Sequence, residues 1–134
     1  MPGSNYLLDT NVVIEVFSGN KQIADKISTL DEFFISATVL GELYVGVNRV
    51  VNKTKHGKRL VDFLGLCEII LVDTGTSEKF GEISAALYEK GKPIPSNDIW
   101  IAATAMQHNL ILVTMDKHFS EVEGLATENW NPNN

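Results

Sequence analysis

The chain has 134 residues, a formal net charge of −6 and 44% apolar residues, which is the make-up of one globular domain, too short for two. No apolar run approaches the roughly 20 residues that cross a bilayer, and Met1-Pro2-Gly3-Ser4 lacks the basic start and apolar stretch of a signal peptide. The single cysteine, Cys67, excludes an internal disulfide and a cysteine-rich zinc motif; it reads as a buried, inert thiol in a protein of the reducing cytoplasm with no membrane partner.

In chain order, strand-like and helix-like segments alternate. Asn5 to Leu8 reads as a buried strand, and Asn11 as the cap of a helix beginning Val12-Val13-Ile14, because its amide oxygen can accept from a free backbone N–H. Gly19-Asn20 breaks that helix, and Lys21 to Leu30 resumes helical spacing with Ile23, Ile27 and Leu30. Phe33 to Ser36 is a second strand. Leu40, Leu43, Tyr44 and Val47 then give an amphipathic helix from Ala37 to about Val51. The polar stretch Asn52 to Gly57 reads as an exposed connection or frayed helix end, followed by a helix carrying Leu60, Phe63 and Leu64 and closing near Gly65.

Ile69 to Val72 is a third strand, and Ser77 to Glu89 a helix that stops at Gly91. Pro93 and Pro95 enforce an extended passage. Asn97 to Asn109 is a helix, Leu110 to Val113 a fourth strand, and Leu125 to Thr127 a weaker one; the polar tail Asn129 to Asn134 is held only through Trp130 and its neighbours. Alternating strands and helices predict an α/β fold, an α/β/α sandwich around a mostly parallel sheet, with residues 1–134 forming a single domain.

The negative charge argues against a general nucleic-acid binder. Yet no acid lies between Glu42 and Asp62, whereas Arg49, Lys53, Lys55, Lys58 and Arg59 do. That segment can hold an RNA phosphate backbone locally; a solvated helix and loop is the other reading of the same residues.

Four acids stand where an apolar strand gives way to a turn or helix. Asp9 follows Tyr6-Leu7-Leu8, Glu42 lies in the early turns after Phe33-Phe34-Ile35, Asp98 opens a helix, and Asp116 follows Ile111-Leu112-Val113-Thr114. Each alone has an ordinary explanation as a turn former, a solvated helix face or a partner of the helix dipole. Their recurrence at one edge of a parallel sheet, where ligands bind, predicts a single acidic cluster that needs a cation to offset mutual repulsion. Oxygen ligands select hard cations such as Mg²⁺. His56, His108 and His118 are too scattered for a metal motif: His108 ends a helix, and His118 reads as surface beside Phe119.

Leu8-Asp9-Thr10-Asn11, Glu42, Asn97-Asp98-Ile99-Trp100-Ile101-Ala102-Ala103 and Thr114-Met115-Asp116-Lys117-His118-Phe119 together resemble the PIN-domain family of ribonucleases, specifically its VapC-like toxins of toxin–antitoxin pairs. The resemblance extends over nearly the whole chain. It implies a PIN fold and an Mg²⁺- or Mn²⁺-dependent endoribonuclease whose catalytic, metal-binding acids are Asp9, Glu42, Asp98 and Asp116. Asn11 and Thr114 would orient those carboxylates or a bound water. It also implies a homodimer, silenced by a cognate antitoxin whose C-terminal segment enters the acidic cleft. The alternative within the family is a non-catalytic PIN-like module that binds RNA or a protein. A haloacid-dehalogenase-like phosphatase would carry a second aspartate where Asn11 stands, and a receiver domain would need an aspartate within the interval from Leu43 to Val61, which has none.

Overall fold

The computed structural model describes residues 5–131. Five short strands, β1 (Tyr6–Leu8), β2 (Phe34–Ser36), β3 (Glu68–Ile70), β4 (Ile111–Val113) and β5 (Thr127–Glu128), form one sheet in the order β3-β2-β1-β4-β5. Every pairing is parallel. Among the described residues, six helices flank it: α1 (Thr10–Phe17), α2 (Lys21–Ser28), α3 (Ala37–Arg49), α4 (Lys53–Leu64), α5 (Thr74–Glu89) and α6 (Ser96–Gln107), with a 3-10 turn at Lys117–Glu121. This is the α/β/α arrangement that the alternation predicts.

Central strands explain why the apolar runs were legible. Leu7 and Leu8 point to opposite faces of β1 and both are fully buried, as required of a parallel strand covered on both sides. β3, at the sheet edge, leaves Glu68 and Ile69 exposed. Helix α6 buries Ile99, Ile101, Ala102, Ala103 and Ala105. Its alanines let neighbouring backbones approach closely, and Phe80 of α5 lies over Trp100 at 4.1 Å between ring centroids.

Three sequence expectations change. Asn11 is not the cap of α1. The helix begins at Thr10 and Asp9 caps it, in extended conformation, accepting from Thr10 N. The stretch 53–57 is helical rather than a connection: Asn52 caps α4 by accepting from Lys55 N at 3.0 Å, and the buried Leu60 and Phe63 anchor the helix, so packing overrides the polar composition. Cys67 is half-buried, with its thiol pushed up to about 11 by burial and then by Glu68; it is still an inert thiol. Of the tail, Trp130 is buried against Tyr6, with ring centroids 5.1 Å apart, while residues 132–134 lie outside the described residues, as do residues 1–4.

The order of the strands fixes where a ligand goes. Chain connections leave β1 toward β2 on one side, while β4 sits on its other side. The carboxyl ends of β1 and β4 therefore flank a crevice where loops diverge, the usual ligand position in open α/β sheets.

Candidate active site

Asp9 follows β1 and Thr114 follows β4, and the backbone ladder joins them: Asp9 N donates to Val113 O at 2.9 Å. Their side chains meet in the crevice. Thr114 Oγ1 donates to Asp9 Oδ2 at 2.7 Å and accepts from Asp116 N at 3.0 Å. One buried hydroxyl thus positions two of the acids. Thr10 N donates to the other Asp9 oxygen at 2.8 Å. Asn11 reaches the same loop, its Oδ1 accepting from Met115 N at 3.4 Å.

Glu42 arrives from α3. Its Oε1 accepts from Thr10 Oγ1 at 2.5 Å and its Oε2 from Asn97 Nδ2 at 3.4 Å. These bonds tie the first turns of α1 and α6 to the second turn of α3 around one carboxylate. Asp98, in the first turn of α6, faces Asp116 through His118: the imidazole Nδ1 lies 3.4 Å from Asp98 Oδ2 and 3.3 Å from Asp116 Oδ1. Sequence reading placed His118 on ordinary surface and no histidine in the site. The structure corrects this, because Asp116 Oδ1 accepts from His118 N at 2.9 Å and that turn brings the ring back over the acids. Asp98, Asp116 and His118 offer ligand atoms that lie within 4.8 Å of one another.

Titration behaviour records the crowding. The carboxyl of Asp9, only 6% exposed, is pushed up to about 6, chiefly by burial; the Thr114 and Thr10 hydrogen bonds oppose this, and repulsion from Asp98 and Glu42 adds to it. Asp98 is also raised, first by burial and then by Asp116, with His118 pulling it back and Glu42 adding repulsion. Among the described residues, no lysine or arginine forms an ion pair with any of the four acids. A convergent set of hard oxygen donors with uncompensated charge fits a divalent cation, and Asp98, Asp116 and His118 could hold one.

The basic residues are less united. Arg49 ends α3, and Lys53 and Lys55 are exposed on α4. Lys58 pairs with Asp62 at 3.2 Å. Arg59 donates through Nη1 to Phe17 O at 3.1 Å and lies 5.8 Å from the Phe17 ring centre, which fastens α4 to α1. Sequence reasoning also missed Thr10 and Asn97. Both are next to a recognised acid in the Asp-Thr-Asn and Asn-Asp segments, and that adjacency was the signal available.

Residues 6–125 match the family model for the PIN domain. Over 93% of its length the chain is 33% identical to ribonuclease VapC2 of Rickettsia felis and 35% identical to ribonuclease VapC2 of Haemophilus influenzae, covering 97% of each. The chain belongs to the VapC branch of the PIN-domain family. Its fold is similar to that in the VapBC2 complex of Rickettsia felis bound to a promoter DNA fragment, with a TM-score of 0.89 and 31% identity over 94% of this chain and 98% of that one. A DNA-bound VapBC complex from Salmonella typhimurium gives a TM-score of 0.90 at 26% identity, covering 95% of this chain and 98% of that one. The five-stranded parallel sheet and the crevice at β1 and β4 are therefore the PIN framework, with Asp9 and Asp116 just beyond the ends of β1 and β4, Glu42 on α3 and Asp98 on α6.

Proposed function

We propose that this PIN-domain protein is an Mg²⁺- or Mn²⁺-dependent endoribonuclease and the toxin of a toxin–antitoxin pair, with residues 1–134 working as one PIN domain in the cytoplasm. The observation that carries the reading is the convergence of Asp9, Glu42, Asp98 and Asp116 from four separate segments, with no lysine or arginine ion-paired to them among the described residues, in a chain 33–35% identical to ribonucleases. In this reading the four acids hold the cation. When bound, it supplies Lewis acidity that acidifies water near neutral pH and offsets the charge building on the phosphate.

The chain's own residues prepare that site. Thr114 fixes Asp9 and the backbone of Asp116 with one hydroxyl. Thr10 and Asn97 aim Glu42. Asn11 holds the Met115 backbone and so the loop that carries Asp116. His118 spans the mouth between Asp98 and Asp116. Such preorganisation saves the cost of ordering these groups during the reaction.

The partners are a single-stranded RNA segment, a second copy of the chain and a cognate antitoxin. An antitoxin arginine among the acids would silence the enzyme, because its planar fork can make charge-assisted bonds to two carboxylate oxygens at once. The test is cleavage of RNA by the purified protein in Mg²⁺ or Mn²⁺. Asp9→Asn, Asp98→Asn and Asp116→Asn should each cost at least about 10²-fold in rate while circular dichroism stays native. Undiminished cleavage by two of these variants overturns the reading. Expression of the protein alone should arrest growth and co-expression of the adjacent small gene should restore it; neither arrest nor cleavage would sink the toxin assignment.

A further inference from the structure

A cavity of about 530 Å³ between α5, α6 and the 3-10 turn is lined by Lys79, Ile83 and Met106 among others and includes none of the four acids. A second cavity of about 450 Å³ does adjoin them: Thr114 and Asp116 form part of its wall, and Met115, Ser120, Glu128 and Asn129 complete much of the rest. Its volume falls in the range of about 300–1,000 Å³ found for small-molecule sites. It opens on the β4–β5 side of the crevice, so a strand with one phosphate at the acids would carry a neighbouring nucleotide past it.

The lining suits an uncharged base better than a phosphate, because it contains two acids, Asp116 and Glu128, against one cation, Lys117. Half-buried Met115 supplies apolar surface, backed by the buried Phe119, and the Met115 thioether is itself held, accepting from Asn131 Nδ2 at 3.6 Å. A thioether packs well against an aromatic ring.

Glu128 supplies a fixed acceptor. Its backbone is pinned to β4, since Thr114 N donates to Glu128 O at 3.0 Å. Its Oε1 accepts from Trp130 Nε1 at 3.0 Å, and Trp130 is buried against Tyr6. Oε2 has no hydrogen-bond partner among the described residues, and Oε1 keeps a second lone pair beside the one that Trp130 uses, so the carboxylate can accept two donors side by side. A rigid carboxylate selects for a base edge that offers donors. Guanine presents a ring N–H beside an amino group; adenine and cytosine offer the amino group without that ring N–H, and uracil the ring N–H without an amino group. Unstacked bases of single-stranded RNA are commonly read in this way, along their pairing edges.

We propose that this cavity binds the base next to the scissile phosphate and that Glu128 makes it prefer guanine. The proposal rests on the ribonuclease reading for the words "scissile phosphate", but base binding can be measured without cleavage. In metal-free protein, guanosine should shift the amide resonances of Met115, Glu128 and Asn129. Adenosine, cytidine and uridine should bind about tenfold more weakly, the discrimination of one good paired contact. Glu128→Gln keeps an oxygen for Trp130 but turns the second acceptor into a donor, so it should remove the guanosine preference while Trp130 fluorescence stays native. On a random RNA pool, the same variant should lose a guanine preference on one side of the cut. Guanosine that leaves these amides unmoved, or binds Glu128→Gln equally well, overturns the proposal. Guanosine binding by a protein that cuts no RNA would uphold the base site and overturn the ribonuclease reading instead.

Discussion

Asp9 and Asp73 occupy the same local position, each the extended residue that caps a helix, and their carboxyls shift in opposite directions. Asp73 caps α5 at the surface. Its Oδ1 accepts from Gln107 Nε2 at 2.7 Å, Thr76 N at 3.1 Å and Thr76 Oγ1 at 3.2 Å, and its pKa is lowered, by Gln107 first and then by the Thr76 backbone. Asp9 caps α1 and also accepts two hydrogen bonds, yet its pKa rises to about 6 because burial and two nearby acids outweigh them. The same motif makes a stability device where water solvates it and a strained charge where it is enclosed. Perturbed carboxyls of this kind cluster at functional sites, which supports the proposed cation site.

The comparison is most sharply tested by pH-dependent stability of the metal-free protein. Because the folded pKa of Asp9 lies above its ordinary 3.8, at about 6, the folded state binds its proton more tightly than the unfolded chain. Stability therefore falls as pH rises from about 4 to about 6 and stays reduced above that, by up to about 3 kcal/mol. Asp9→Asn should be more stable than the native chain at pH 7.5, with the advantage gone below pH 4. For Asp73 the sign reverses: its lowered pKa stabilises the fold above the ordinary carboxylate range, and that contribution is lost as pH falls. Asp73→Asn should lower the melting temperature at pH 7.5 and converge with the native chain in acid. Parallel curves for the two variants would refute the contrast.

Thr114→Val probes the link inside the site. The swap keeps shape but removes the donor to Asp9 and the acceptor for Asp116 N, leaving a polar group unpaired at a cost of about 1–3 kcal/mol. Since the Thr114 bond lowers the Asp9 pKa, the variant should also raise it further, readable by carboxyl NMR titration. An unmoved Asp9 would mean that burial alone sets its charge.

The smallest effect is expected at the rim, where charges are solvated. Lys53 and Lys55 are exposed and free of ion pairs among the described residues. Neutralising both should reduce the salt dependence of single-stranded RNA affinity by about 0.7 in log–log slope per lost phosphate contact. Unchanged slope would leave them a solvated surface. Arg59 is unsuited to this test, because its guanidinium holds Phe17 O and its loss would loosen α1 from α4.

Much of the fold was legible in the sequence because buried parallel strands are short apolar runs and their helices carry apolar residues at helical spacing. Tyr6–Leu8, Phe34–Ser36 and Ile111–Val113 were found on that ground, to within a residue or two. The start of α4 was not, since Lys53 to Gly57 is polar and only the burial of Leu60 and Phe63 further along makes it helical. Asn11 looked like a cap because an asparagine before an apolar run fits the local rule; Asp9, two residues earlier, took the position.

The sequence by itself determined which groups exist and where they fall along the chain: an acid after β1, an acid after β4, one on α3 and one opening α6. These are consequences of local pattern, readable from neighbours a few residues away. The tertiary structure alone decided that Thr10 and Asn97 share Glu42, that His118 turns back between Asp98 and Asp116, that Arg59 holds a carbonyl, and that Asp9 titrates near 6 while Asp73 is lowered. Charge state and pairing depend on solvent and on charges reached through space, and residues 55 or 105 positions apart meet here within hydrogen-bond distance. No window along the chain carries that information.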